Sequence, residues 1–545
     1  MKTNKKHILY LIPLLILALT GCVRDKGNYK YSEIDEVKEI EGIDKNYELS
    51  YGETLHILPQ VSFTLDKNKE SFSYEWAYLE QANPTSGITN VVSVGEDKEL
   101  NLLVSRDIFK TSGQKKMVLK VKNTETDMVY QKRFTINILV PMALGYVAIC
   151  EKPKGFDLDI IADFRGELSL HTNILEVMDS SLPRENRVPR QVITGRDICS
   201  PTFPNTTNYI YALYVTSDKG NDRLLPSDYS YEPNYNISNV SILSEGYFPD
   251  GDIVFDKLHM PSTGEVTYGF HDNNWFYQRS HLQIHLFKDP INRIKDTDVY
   301  FRVAPYIACH VGSAVVYDID KNIFLYHRIP SGDDAYYPSR INCCINFDDN
   351  EGDPFEWNDS NQELIYMTEF AESNTTSSFD VQMAFAIVKN KKTEQINYLQ
   401  FYLYFSTAEK ELKTTLPNAD IEHADFICRY PDGNYLYYVV NNQIKCVHLS
   451  TMSMIDMPNN LIPANESISA FKFTIYKSRP LLTIGSYDPS GEVGTNGSLH
   501  FFEIDGFTGM PKLATHPAKP TATGKVQEMS WKGLGKVTDI AVKTQ

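Results

Sequence analysis

Apolar and polar positions alternate with a period of two in the first quarter of the chain and merge into nearly unbroken apolar runs after it. Phe72, Tyr74 and Trp76 alternate with Ser73 and Glu75, and Phe134, Ile136 and Ile138 alternate with Thr135 and Asn137. Met117, Leu119 and Val121 are set against Lys120 and Lys122, with Val118 breaking the polar face, and Leu55, Ile57 and Leu58 start another apolar stretch. A side-chain period of two is that of a strand with one face buried. Asn123-Thr124-Glu125-Thr126-Asp127 supplies a turn between two of these segments. Short strands with turns at this spacing predict a small β-sandwich over residues 44–140.

Past Pro141 the pattern changes. Gly145–Cys150, Tyr209–Val215, Ala314–Asp318, Asn322–Tyr326, Tyr435–Val440 and Ser498–Ile504 are apolar and aromatic on both sides of the period, and no long amphipathic helix appears. Asp318–Asn322, Pro431-Asp432-Gly433-Asn434 and Val440–Ile444 read as hairpin turns, because Asp-Gly and Asn-Asn reach the positive φ these turns need. About 400 residues of hairpins in one sheet would leave costly edges, which radial repetition avoids. At roughly 40–50 residues per blade, residues 141–545 predict a β-propeller with seven blades favoured. Two further sandwiches or a β-helix are the rival arrangements. The expected class is all-β: an immunoglobulin-like or PKD-like sandwich carrying a buried Trp76 on a strand, then the propeller.

The amino terminus adds an address. Lys2, Lys5 and Lys6 precede a short apolar run over Ile8–Leu19, and Leu19-Thr20-Gly21-Cys22 follows. That is a secretory signal over 1–21, too short to span a bilayer. Its ending resembles the lipobox of bacterial lipoproteins, which implies lipidation at Cys22 and stable membrane anchoring. Val23 stands where an inner-membrane retention aspartate would, so the outer membrane is expected. Residues 22–43, polar and charged, read as a tether. Loss of the signal, with three lysines and no acid, takes the formal charge from −17 to −20. Such an acidic body repels phosphate backbones, so nucleic acid is not an expected partner. Seven cysteines remain after Cys22, an odd and widely spaced set that reads as small buried hydrophobes. The adjacent Cys343 and Cys344 fit disulfide geometry poorly.

The order of parts carries a resemblance. Asp25-Lys26-Gly27-Asn28-Tyr29 lies beside the lipobox, and a sandwich with Tyr74-Glu75-Trp76 comes next. Gly145-Tyr146-Val147-Ala148-Ile149 opens the large part, with Asp157-Leu158-Asp159-Ile160-Ile161 soon after, and Trp531–Ile540 lies close to its end. Together these resemble the PKD-like family lipoproteins of Bacteroidetes. The resemblance implies an accessory lipoprotein at the cell exterior. It would bind or present a glycan or peptide nutrient for SusC/SusD-type TonB-dependent uptake proteins. A structural subunit that docks on the transporter without binding ligand, and a propeller-type hydrolase, are the alternatives.

No catalytic residues are assigned. Gly-x-Ser-x-Gly is absent, and Gly533-Leu534-Gly535-Lys536 lacks P-loop spacing, so the chain is expected not to be an enzyme and to need no cofactor. His281 and His285 lack the glutamate of a zinc protease, and the acidic turn Asp348–Asp353 misses the EF-hand register, so no metal site is assigned. Sugar and peptide capture use flat aromatic faces beside hydrogen-bonding groups. Aromatics near turns are therefore the candidate ligand platforms: Tyr229, Tyr231, Trp275, Tyr277, Tyr336, Tyr337 and Trp357.

Overall fold

Strand follows strand almost without interruption in the computed structural model. It describes residues 35–543, except 66–70, 82–88, 106, 110–112, 140, 141, 143, 165, 198–209, 227, 242–247, 249–252, 262–265, 280–286, 288, 289, 312, 329–342, 371–380 and 517–527. The chain divides into two compact units, Met1–Leu139 and Val140–Gln545. Among the described residues no helix is long and apolar enough to cross a membrane.

The first unit is a sandwich. Its larger sheet runs Asn46–Ser50, Val129–Leu139, Gly113–Asn123, Phe72–Gln81 and Thr89–Gly95 in spatial order. The first pair is parallel and the rest are antiparallel. Two short ladders, Val37–Glu41 with Gln60–Phe63 and Thr54–Ile57 with Leu100–Leu103, add their apolar positions to the same core. Trp76 lies fully buried there, its indole N–H donating to the Asp97 carbonyl at 2.8 Å. Within the stretch read as a tether over 22–43, Val37–Glu41 is a strand, with Val37 and Ile40 in the core, while residues 22–34 lie outside the described residues. Those two apolar residues are enough because the partner strand, out of sight in the local sequence, covers them.

The second unit is a β-propeller. Its described residues form seven antiparallel sheets. Their first strands in spatial order are Lys536–Lys543, Pro189–Asp197, Lys257–His259, Ala308–His310, Gln362–Phe370, Phe426–Arg429 and Ser467–Tyr476. Six sheets are contiguous in sequence. The remaining one joins Gly145–Lys152, Gly155–Phe164 and Glu167–His171 to Lys536–Lys543 from the far end of the chain. Such pairing of distant strands closes the ring and covers the edge that Gly145–Lys152 would otherwise expose.

The unbroken apolar runs have a direct physical reason. A strand's residues point alternately to its two faces, and each sheet here is packed on both. Along Tyr435–Val440, Tyr435, Tyr437 and Val439 enter the core against the seventh sheet, while Leu436, Tyr438 and Val440 enter the core against the fifth. Along Gly145–Lys152, Tyr146, Ala148 and Cys150 face Leu481, Leu499 and Phe501; Val147 and Ile149 face Val192, Leu213 and Val215. One hydrophobic cluster lies between each successive pair of sheets, all the way round.

Buried charge ties the ends further. Asp163 accepts from Lys477 Nζ at 2.7 Å and Tyr476 Oη at 2.9 Å. Burial raises its pKa, but these bonds and the one from His516 outweigh that and leave it below the usual carboxylate value. A depressed carboxylate contributes stability that is present above the unfolded value and lost as pH falls through the folded one. Asp163→Asn is therefore expected to lower propeller stability at neutral pH by about 1.5 kcal/mol. In urea melts, the gap to the parent protein should narrow below pH 4.

Candidate functional site

The first strands of the sheets surround a cavity of about 710 Å³. Its walls take residues from six of those seven strands, including Arg190, His259, Glu369, Phe426, Lys472 and Asp539. Its position explains its chemistry. Side chains further out on each sheet are packed between sheets, whereas those on the first strands meet across the axis, where no further sheet exists to cover them.

Charged groups gather here in specific pairs. Asp539 accepts from Lys472 Nζ at 2.6 Å and from the Val192 backbone N–H at 3.1 Å. Arg190 reaches Asp256 at 3.0 Å. Buried Arg429 donates to Tyr398 Oη at 2.9 Å, and its guanidinium lies 4.0 Å from the centre of the Phe370 ring. Lys257 differs from these: it donates to the Pro305 carbonyl at 3.2 Å and lies 5.3 Å from the centre of the Tyr306 ring. No carboxylate among the described residues forms an ion pair with it. Burial pulls its ammonium below the usual lysine value, against the opposing charges of Glu369 and Asp539. The Tyr306 and Tyr366 rings meet edge to face at 5.2 Å beside it, and burial pushes the Tyr366 phenol well up, so it stays protonated.

His259 Nε2 lies 2.8 and 2.9 Å from the two oxygens of Glu369, so that nitrogen carries the proton. Glu369 also accepts the Cys309 backbone N–H at 3.0 Å. The three residues come from three successive sheets, and their donor atoms all lie within 4.8 Å of one another. Burial first, then Glu369, pushes the Cys309 thiol well up.

The aromatics chosen from the sequence lie elsewhere. Tyr229, Trp275, Tyr277 and Trp357 are buried between sheets, at most 2 % exposed. As ligand platforms these four are corrected, since a ring covered on both faces has none to offer. Tyr229 instead takes the Lys543 ammonium at 2.8 Å and donates to the Met142 carbonyl at 2.7 Å. The Trp275 indole N–H donates to the Ala304 carbonyl at 3.0 Å, and Trp357 stacks on Phe347 at 4.2 Å. Tyr231 is half-buried and donates to Asp222 at 2.9 Å, outside the cavity. Tyr336, Tyr337 and Cys22 lie outside the described residues, as do His281 and His285. In the acidic turn, Lys410 supplies the positive charge itself, 2.6 Å from Asp349 and 2.5 Å from Asp353. No disulfide joins Cys343 to Cys344.

The residues that do line the axis were not legible. Lys257–His259 is a strand of three residues, too short to show a period; Ala308–His310, which carries Cys309 beside the cavity wall, is equally short. His259 and Glu369 are 110 positions apart. No local signal marks them; only the ring brings them together.

Fold and cavity together define an all-β protein in which a PKD-like sandwich precedes a β-propeller. Residues 22–180 match the PKD-like family, a stretch that runs through the sandwich into the first propeller sheet. By sequence, no curated protein matches the chain. Among solved structures, the chain is similar to a quinonprotein alcohol dehydrogenase-like protein from Bacteroides thetaiotaomicron at 9 % identity and TM-score 0.39, covering 94 % of this chain and 100 % of that one. It is also similar to a putative 6-phosphogluconolactonase from Bacteroides fragilis at 9 % identity and TM-score 0.30, covering 86 % and 98 %. For the WD40 domain of SCAP from fission yeast the values are 8 % and 0.25, covering 63 % and 73 %. Likenesses of this size carry no functional argument, and the propeller architecture stands on the sheet order and cores of this chain.

Proposed function

We propose that this chain is an exported, lipid-anchored binding protein of the outer membrane that captures a glycan or peptide in its propeller cavity. From there it presents the ligand to a SusC/SusD-type TonB-dependent transporter. The observation that carries the ligand-binding part is the cavity on the propeller axis, about 710 Å³, with aromatic edges beside charged groups. Small-ligand sites have volumes of roughly 300–1,000 Å³ and combine apolar walls with a few polar groups. Tyr306, Tyr366 and Phe370 offer the apolar part, and Lys257 a cation with no ion-pair partner among the described residues. The lipobox ending at Cys22 supports the anchor, and the resemblance to PKD-like family lipoproteins supports the transporter.

Calorimetry of the purified protein against oligosaccharides and short peptides tests the reading. One class is expected to bind, and Tyr366→Ala and Lys257→Met are each expected to weaken that binding at least tenfold. Silence across both classes overturns ligand capture. In cells, Cys22→Ser is expected to move the protein from the membrane to the soluble fraction; unchanged fractionation overturns the anchor.

A further inference from the structure

We propose that His259, Cys309 and Glu369 form a binding site for one divalent transition-metal ion of the zinc type. The site stands independently of any organic ligand in the cavity. An imidazole nitrogen, a thiolate sulfur and a carboxylate oxygen are the three donor types zinc uses, and a three-residue set leaves a fourth position open. Their donor atoms lie within 4.8 Å of one another, the only such group of three or more among the described residues. In a tetrahedral zinc site, neighbouring donors are about 3.5 Å apart, from bond lengths of about 2.0–2.3 Å. Small side-chain rotations cover the difference. His259 and Glu369 also line the cavity, so the open position faces it.

The neighbours favour this reading over a merely structural cluster. Elsewhere the chain supplies its own cation to buried or clustered carboxylates: Lys152 to Asp159 at 2.8 Å, and Lys410 to Asp349 and Asp353. Glu369 forms no ion pair with a lysine or arginine among the described residues, and Lys257 nearby donates to a backbone carbonyl. The thiol and imidazole select against calcium and magnesium, which take oxygen ligands. Binding displaces the Cys309 thiol proton to solvent. The imidazole's proton moves from Nε2 to Nδ1, freeing Nε2 to coordinate. The ion's two positive charges then meet one thiolate and one carboxylate, leaving the site neutral. The Cys309 backbone N–H, 3.0 Å from Glu369 Oε2, holds that carboxylate in place, as outer hydrogen bonds do in metal sites.

The test is titration of the chelator-stripped protein with zinc by calorimetry and with cobalt by absorption spectroscopy. Expected are one equivalent of either metal and a thiolate-to-cobalt charge-transfer band. Cys309→Ser, which nearly preserves volume, is expected to remove the band and weaken binding at least tenfold. His259→Ala and Glu369→Gln are expected to weaken it similarly, while Cys428→Ser, at another buried thiol, leaves it unchanged. Circular dichroism identifies the variants that keep the fold. If folded parent protein takes up no stoichiometric metal, or folded Cys309→Ser keeps the band, the proposal is overturned.

Discussion

Ending the chain at Gly535 is expected to abolish cooperative folding of the propeller. Lys536–Lys543 pairs along Gly145–Lys152 and places Val537 and Ile540, both fully buried, in the core between the first and seventh sheets. Burial of those two side chains contributes roughly 3–6 kcal/mol. The strand also carries Asp539, which binds Lys472 and the Val192 N–H, and Lys543, which donates to Tyr229 and to the Met142 carbonyl. Their combined loss approaches or exceeds the roughly 5–15 kcal/mol that separates folded from unfolded domains. The truncated chain also exposes Gly145–Lys152 as a long apolar edge, a template for aggregation. Near-UV circular dichroism and limited proteolysis are expected to show a propeller that has lost fixed packing. A truncated chain that melts at the parent midpoint would mean that the ring does not depend on this closure.

The second large effect is expected at Asp159. Its carboxylate is fully buried and accepts from Lys152 Nζ at 2.8 and 2.9 Å, from the Asn173 N–H at 2.9 Å and from the Gly535 N–H at 2.9 Å. Two segments nearly 400 positions apart thus meet at one side chain. Gly535 belongs there for a steric reason: a Cβ at that position would overlap the Glu151 carbonyl oxygen. Asp159→Ala leaves a mostly buried ammonium unpaired and orphans two backbone donors. Breaking a buried ion pair from one side costs about 3–5 kcal/mol, and urea denaturation is expected to show a loss in that range. Adding Lys152→Met is expected to restore part of it, because the stranded charge is then gone. A double variant no more stable than Asp159→Ala alone would rule out the unpaired-charge account.

Much of the architecture was legible, for reasons that particular strands make plain. Phe134, Ile136 and Ile138 alternate with polar neighbours because the larger sandwich sheet packs on one face, and the period survives in the text. Tyr435–Val440 shows no polar alternation because both faces of its sheet are covered; that is a propeller's mark once turns recur between such runs. The same covering removes the ligand platforms that the sequence suggests. An aromatic beside a turn looks available in sequence, yet Trp275 and Trp357 fill the wedge between sheets, where large rings are needed. Val37–Glu41 looked like a tether because its two apolar residues find cover only from a strand some twenty residues on.

By itself, the sequence determined what is local: where strands run, which turns join them, how many faces each strand buries, and which cysteine stands in a lipobox-like setting. Only the tertiary structure decided that Lys536–Lys543 closes the first sheet, and that His259, Cys309 and Glu369 converge from three sheets. The physical reason is range. Alternation and turn preference act over a few residues and leave a trace in neighbouring letters. Ring closure joins positions separated by hundreds, and no short-range preference records which strands will meet.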